Sequence, residues 1–178
     1  PLRSVDVNVN VNLKGSTTLV GGSMPHSVRP DRKAHVPRNP DWEATVRASF
    51  ARQKVMHLIG AEMGALAPGH CEIRLPFRDD LTQQNGYFHA GITSTIVDSA
   101  GGYAGLTLMP AGAEVLTIEF KLNLLAPADG DLLVAEGLVL KSGRNLVITR
   151  GEVYAIRNGK ATHCATMQQT LMTMHGKG

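Results

Sequence analysis

The sequence predicts an α+β domain in which an antiparallel sheet wraps around one long central helix. The segment from His89 to Met109 is apolar on nearly every face yet rich in small residues, which is typical of a buried helix that its neighbours approach closely. Residues 116–171 then contain four strand-like segments separated by turns. Successive strands joined by short turns favour an antiparallel sheet.

Local patterns predict the elements before the central helix. Apolar residues recur at helical spacing within residues 41–54, so we expect a helix that starts at Asp41. Residues 56–77 contain two apolar runs separated by the turn sequence Ala67-Pro68-Gly69, which predicts a pair of short strands. The polar residues 78–86 predict a loop that leads into the central helix.

The segments after the central helix are predicted as four strands. The first alternates apolar and polar residues, and its predicted core face consists of Leu116, Ile118, Phe120, Leu122 and Leu124. Residues 132–141, 145–156 and 161–171 predict three more strands. We expect the four strands to pair in chain order, as a meander.

The first forty residues differ from the rest in composition. They contain few large apolar side chains, so we expect a flexible basic arm over residues 1–40 and a single domain over residues 41–174. Met24 can serve as an initiator and Pro1 cannot, which leaves open that residues 1–23 are upstream sequence.

Charge and hydropathy narrow the function classes. The formal net charge is +3, and residues 1–54 carry nine of the 18 Lys and Arg residues but only four of the 15 Asp and Glu residues. The remaining chain shows no basic stripe with interleaved aromatic residues, so a nucleic-acid surface is not expected. No window is long and apolar enough for a membrane span, and a cytoplasmic location is the expectation.

The two cysteines, Cys71 and Cys164, lie far apart without the spacing of a zinc site. His70 and His163 stand beside them, but a metal site needs further ligands. We therefore predict no metal centre, and we interpret both cysteines as small buried apolar residues rather than nucleophiles.

The candidate functional residues lie where the loop meets the central helix, at Gln83, Gln84, Asn85, Gly86, Tyr87, Phe88, His89, Ala90 and Gly91. Asp98 follows within the helix, where no Lys or Arg is available to pair with its carboxylate and an unpaired charge is costly. A functional role for Asp98 is therefore favoured over a role as a helix cap. His89 precedes backbone amides that stabilise negative charge, although His89 alone is more typical of a simple cap.

These residues resemble the hotdog-fold acyl-CoA thioesterases of the phenylacetate-pathway (PaaI-like) type, which are close to the hydroxybenzoyl-CoA and dihydroxynaphthoyl-CoA thioesterases. The resemblance covers about residues 42–172. Its strongest part is the spacing of Gln83, Gly86, His89, Gly91 and Asp98. Residues 117–127 and the pair Gly143-Arg144 resemble the third strand of the family and the turn between its fourth and fifth strands.

The resemblance implies a role for each residue. Asp98 attacks the thioester carbonyl or activates water, while Gln83 helps to hold the water or the acid. The amide of Ala90, between His89 and Gly91, binds the carbonyl oxygen. Substrate contacts are expected from Asn85, Gly86, Phe88, Thr117 and Arg144. No cofactor is implied, because CoA is part of the substrate.

Two positions depart from the family pattern. Ala90 stands where the family usually has Gly, which requires a negative φ or a helix that has already begun. Gly102 stands where some members have Ser or Thr, so Thr117 or Ser99 would have to position water.

The expected function is hydrolysis of acyl-CoA thioesters, with aryl or medium-chain acyl groups favoured. The alternatives are a non-catalytic acyl-CoA-binding module and an enoyl-thioester hydratase or dehydratase. A single such subunit leaves sheet edges unpaired, so we expect a homodimer at minimum with a site completed by the second chain. The resemblance implies a homotetramer.

Overall fold

The computed structural model describes residues 35–175, which form one six-stranded antiparallel sheet around a central helix. The helices are α1 (Trp42–Arg52), α2 (Lys54–Ile59) and α3 (Ala90–Leu106), with a turn of 3-10 helix at Asp79–Leu81. The strands are β1 (Glu62–Ala67), β2 (His70–Pro76), β3 (Glu114–Leu124), β4 (Leu132–Ser142), β5 (Leu146–Arg157) and β6 (Lys160–Met174). The predicted α+β hotdog arrangement is confirmed.

The central helix α3 lies against one face of the sheet and is buried along most of its length. Its small residues permit backbone contact with the strands. A Cβ atom at Gly137 of β4 would collide with the carbonyl of Ala100 and the amide of Gly101. The close packing therefore requires glycine on the strand as well as small residues on the helix.

The prediction of a strand from residue 56 onward was wrong for its first residues, which form α2. Met56 and Ile59 lie three positions apart on one helical face, and both are buried in the core. Gly60 adopts a left-handed conformation with φ of 75° and ends α2, so the strand begins only at Glu62. A short apolar run does not distinguish a buried helix from a strand.

The predicted pairing of four successive strands was also wrong in part. The order in the sheet is β1-β2-β4-β5-β6-β3, so only β4, β5 and β6 form a meander. β3 pairs with β6 and lies at one edge of the sheet, while β4 pairs with β2. Alternation of apolar and polar residues predicts that a strand exists but does not specify its partner.

The five apolar residues predicted to share the core face of β3 do not share one face. The register between β3 and β6 shifts by one residue between Thr117 and Glu119, which is a β-bulge. Before the bulge, Leu116 lies opposite the exposed Met172. After it, Leu122 packs against the core, whereas Phe120 and Leu124, which have the same parity, stay exposed at the edge of the sheet. The other four are Leu116, Ile118, Phe120 and Leu124, and they are 46% to 57% exposed.

Most of the predicted basic arm lies outside the described residues. Among its last six residues, 35–40, two form hydrogen bonds with the domain. The guanidinium of Arg38 donates to the carbonyl of Leu108 at 2.8 Å. Asn39 is buried, and its amide donates to the Thr45 hydroxyl in α1 at 2.9 Å. The boundary at residue 40 stays a prediction.

Both cysteines are buried and unpaired. Burial raises the pKa of the Cys71 thiol to about 12 and that of the Cys164 thiol to about 11, so neither forms a reactive thiolate near neutral pH. Within residues 35–175, no helix combines the length and hydropathy that crossing a membrane requires.

Candidate active site

Asp98 lies in the middle of α3, on the side that faces the edge strand β3. Its Oδ1 atom accepts hydrogen bonds from the hydroxyl of Thr117 at 2.8 Å and from the side-chain amide of Gln169 at 2.6 Å. The Oδ2 atom accepts no hydrogen bond from residues 35–175. One carboxylate oxygen is therefore held by two donors, and the other is available to a substrate or to water.

The environment of Asp98 has opposing effects on its charge. Burial raises the pKa of this carboxyl above its ordinary value, while the hydrogen bonds from Thr117 and Gln169 act in the opposite direction because they stabilise the ionised form. The result is a carboxylate that binds a proton more readily than an exposed aspartate. Such a shift is typical of carboxyls that act as bases or nucleophiles.

Asp98 opens onto a cleft of about 420 Å³ between α1, α3 and β3. Its lining consists of Ser49, Arg52, Gln53, Asp98, Ser99, Gly102, Tyr103, Val115, Leu116 and Thr117. A side chain added at Gly102 would meet open space, so this glycine keeps the cleft wide beside Asp98. The Ser99 hydroxyl accepts a hydrogen bond from Gln53 at 3.2 Å, whereas Thr117 contacts Asp98 directly.

The N-terminus of α3 is capped by His89. The Nδ1 atom of its ring accepts a hydrogen bond from the amide of Gly91 at 2.8 Å, which places the proton of a neutral ring on Nε2. The amide of His89 donates to Leu81, and that of Ile92 donates to the carbonyl of His89. Among the first amides of α3, only that of Ala90 lacks an acceptor within residues 35–175.

The free amide of Ala90 is therefore the donor that can bind an oxyanion at this helix start. Ala90 is the first helical residue of α3, and its φ is not positive. The alanine that replaces the usual glycine is therefore compatible with the geometry. The amide of Gly91 is used by the cap.

The loop before α3 is held by its own hydrogen bonds. The amide of Gln83 donates to the carbonyl of Tyr87 at 2.8 Å, and the side-chain Oε1 of Gln83 accepts from the amide of Asn85 at 2.6 Å. Gly86 closes the turn with φ of 80°. The Nε2 group of Gln83 donates to no residue in the described part of the chain, and Asn85 and Gly86 are exposed.

The helix start and Asp98 cannot act on one carbonyl within a single chain. Eight residues separate Ala90 from Asp98, which corresponds to about 12 Å along the helix axis. For one carbonyl group to accept a hydrogen bond from the Ala90 amide and to be attacked from Asp98, these two groups would have to lie within roughly 7 Å of each other. The residues predicted as one site thus form two half-sites, one around Ala90 and one around Asp98.

Two predicted substrate contacts, Phe88 and Arg144, do not line the cleft beside Asp98. Phe88 is buried, with its ring edge-on to Phe77 at a centroid distance of 5.4 Å. Arg144 lies in the turn between β4 and β5, beyond the C-terminal end of α3. It lines a second cleft of about 460 Å³ together with Arg38 and Leu108.

Sequence reasoning missed Gln169 and Thr149. Gln169 on β6 is only 1% exposed, and its amide reaches Asp98 and Thr117. The Thr149 hydroxyl on β5 donates to Oε1 of Gln169 at 2.8 Å. The available signal was a glutamine between the apolar Met167 and Leu171, at the strand parity that faces the core.

Comparison with known protein families matches residues 85–162 to the thioesterase superfamily. An inferred esterase of Saccharolobus solfataricus is 30% identical over 120 residues, which cover 67% of this chain and 77% of the relative. Human acyl-coenzyme A thioesterase 13 is 28% identical over 95 residues, covering 53% of this chain and 67% of the human protein.

Solved structures agree with this match. A thioesterase family protein from Silicibacter pomeroyi is 47% identical, with a TM-score of 0.75 over 76% of this chain and 99% of that one. The E. coli PaaI protein of the phenylacetic acid degradation operon has a TM-score of 0.68 at 15% identity, over 78% of this chain and 97% of that one. The latter likeness concerns the fold alone.

Proposed function

The chain belongs to the thioesterase superfamily and has the hotdog fold of its PaaI-like members, and from this premise we propose that it hydrolyses acyl-CoA thioesters with Asp98 as the catalytic carboxylate. The observation that carries the proposal is the state of Asp98: two donors hold Oδ1, and Oδ2 is left for the cleft. The name of the human relative supports CoA thioesters as the substrate class.

Two reaction routes use this carboxylate. As a general base, Asp98 takes a proton from water, whose oxygen attacks the thioester carbon and displaces CoA as the thiolate, which then takes up the proton. As a nucleophile, Asp98 attacks that carbon itself, displaces CoA and forms a mixed anhydride that water hydrolyses to the free acid. Both routes need an ionised Asp98, so both predict loss of activity below its pKa.

Both routes also develop negative charge on the carbonyl oxygen. The amide of Ala90 and the positive end of α3 would stabilise that charge. Gln83 stands beside this helix start with its Nε2 group available to orient water or the thioester. Because one chain cannot bring Ala90 and Asp98 onto the same carbonyl, the proposed site combines Asp98 of one subunit with the helix start of another.

The edge strand β3 is the surface that we propose for this pairing. It is 11 residues long, carries exposed Leu116, Ile118, Phe120 and Leu124, and contains Thr117 beside Asp98. A long apolar edge strand is a template for pairing with another chain. A second copy paired along β3 would lie next to the cleft. Light scattering should therefore report at least a dimer, and a tetramer of two dimers agrees with the family resemblance.

Mixed subunits test the shared site. Ala90→Pro removes the amide proton at the first helical position, where proline is tolerated, and His89 already has the extended conformation that precedes proline, with ψ of 140°. Each of Ala90→Pro and Asp98→Asn should inactivate a homodimer. Co-expressed, the two variants should recover about a quarter of wild-type activity, because half of the dimers hold one intact site. A complete site within each chain predicts no recovery.

The proposed contacts with the acyl-CoA lie at the two ends of α3. Asn85 and Gly86 lie on the exposed loop beside the helix start, where they can line the path of the acyl thioester. Arg144 and Arg38 border the cleft at the far end of α3, where guanidinium groups can pair with CoA phosphates. Arg144→Gln should then raise KM for acyl-CoA while leaving kcat nearly unchanged. An equal KM for wild type and variant would show that Arg144 does not contribute to binding of acyl-CoA.

Acyl selectivity stays a prediction in favour of aryl or medium-chain groups. Phe88 is buried against Phe77, so it can shape the loop beside the site rather than contact an acyl group from an open position. A hydrolysis screen over benzoyl-, phenylacetyl-, hexanoyl- and palmitoyl-CoA tests the preference directly. A rate for palmitoyl-CoA well above the others would contradict it.

A further inference from the structure

Gln169 is a buried side chain that forms hydrogen bonds with three other residues of the described core. Its Nε2 group donates to Oδ1 of Asp98 at 2.6 Å, to the carbonyl oxygen of Asp98 at 3.0 Å and to the Thr117 hydroxyl at 3.2 Å. Its Oε1 atom accepts from the Thr149 hydroxyl at 2.8 Å. One glutamine thus links β6, β5, β3 and α3 at the carboxylate.

The orientation of this amide follows from its partners. A carboxylate and a main-chain carbonyl can only accept, so the NH₂ group of Gln169 must face Asp98. Thr149 holds the opposite end by donating to Oε1. Gly101 leaves the required space, because a Cβ atom there would collide with Oε1 of Gln169. Asp98 and Gly101 of α3 and Thr149 of β5 thereby fix the amide in one direction.

Packing alone does not account for a glutamine at this position. Its inward-facing neighbours on β6 are Met167 and Leu171, which are buried apolar residues. A methionine would fill similar volume without the free-energy cost of burying an amide. We therefore attribute the glutamine at this position to its hydrogen bonds with Asp98 and Thr117 rather than to packing.

We propose that Gln169, oriented by Thr149, is a positioning residue that holds Oδ1 of Asp98 so that Oδ2 faces the cleft in its ionised form. The inference rests on the proposed hydrolysis and deepens it. Thr117 donates only to Oδ1, whereas Gln169 donates to Oδ1 and also to the main-chain carbonyl of Asp98. The carboxylate therefore cannot rotate without breaking a buried hydrogen bond.

The variant that tests this is Gln169→Met, with Gln168→Met as the matched control. Gln168 is the neighbouring residue on the exposed face of β6, so the control makes the same chemical change away from Asp98. We expect kcat of Gln169→Met to fall about 10- to 100-fold with little change in KM, because a misplaced carboxylate loses attack geometry.

The pH profile separates positioning from structural support. Removing a donor to the ionised carboxylate raises its pKa, so the acidic limb of the kcat profile should move to higher pH in Gln169→Met and stay in place in Gln168→Met. Thr149→Val, which frees only the far end of the amide, should move the limb in the same direction by less. If Gln169→Met does not fold, the pH profile of Thr149→Val alone tests the proposal.

The outcomes distinguish this inference from the function on which it rests. Hydrolysis that persists in Asp98→Asn contradicts the proposed catalyst itself. Hydrolysis that depends on Asp98, together with an acidic limb unmoved in folded Gln169→Met and in Thr149→Val, overturns the role of Gln169 alone. A fall in melting temperature with wild-type kcat and pH profile would equally reduce Gln169 to a packing residue.

Discussion

The two half-sites on α3 are built in opposite ways. The helix start around Ala90 is exposed, and its hydrogen bonds connect residues close in sequence, such as His89 with Gly91. Asp98 is held instead by Thr117 and Gln169, which are 19 and 71 positions away. The first half-site depends on backbone geometry, and the second depends on tertiary packing. Substitutions should therefore affect them differently.

The largest expected effect is at the packed half-site. Asp98→Asn should lower kcat by about 1,000-fold or more, because an amide of the same shape is neither base nor nucleophile. Initial rates of CoA release on any accepted acyl-CoA measure this. Asp98→Glu is a control that keeps the charge while displacing it, and it should retain more activity than the amide.

The same substitution should stabilise the fold at neutral pH. Because burial raises the pKa of Asp98, the folded state binds this proton more tightly than the unfolded chain does. The ionised carboxylate therefore costs stability above its folded pKa, and the cost disappears below the ordinary aspartate pKa. Melting curves should show a higher Tm for Asp98→Asn at neutral pH, with the difference shrinking toward about pH 3. A constant difference would contradict this account.

The next largest effect is at the exposed half-site. Ala90→Pro should lower kcat by about 100- to 1,000-fold, which is typical of losing one oxyanion donor. The melting temperature should change little, since proline is favoured at the first helical position. Ala90→Ser keeps the amide proton and should keep the activity. Equal rates for Ala90→Pro and Ala90→Ser would show that the amide of Ala90 does not take part in catalysis.

A smaller effect is expected at Thr117. Thr117→Val removes one of the two donors to Oδ1 and leaves Gln169 in place, so kcat should fall about tenfold. The acidic limb of the pH profile should move to higher pH, because the lost hydrogen bond favoured the ionised carboxylate. Thr117→Ser should restore both properties, and failure to restore them would indicate that only the methyl group matters.

The smallest kinetic effect is expected at the cap. His89→Ala should destabilise the protein by about 1 kcal/mol, the usual value of an N-cap, measured by denaturant unfolding. It leaves the Ala90 amide intact, so kcat should change by less than about tenfold. His89→Asn can cap the helix and should recover the stability. If kcat falls as far as it does in Ala90→Pro, the imidazole itself takes part in the chemistry.

The difference between the half-sites also explains what the sequence could predict. The loop, the start of α3 and the isolated carboxylate of Asp98 were recognisable because residues 83–98 are contiguous. The sheet around α3 followed from alternation and turns. Gln169 could not be placed, because a glutamine in a strand is unremarkable until β6 is known to lie beside β3. The β-bulge at Ile118 likewise could not be predicted, and it places Leu116 on the face of β3 opposite to the one that strict alternation had predicted.

The small residues of α3 have a consequence for how the protein folds. Gly101, Gly102 and Gly105 lie within one helix that also contains several β-branched residues, and both types have low helix propensity. The isolated segment should therefore be largely unstructured in water, and α3 should form only as the sheet closes around it. Most residue contacts in this domain are distant in sequence, which favours slow folding. Helix α3 is then among the last elements to form, and it folds against the sheet that packs around it.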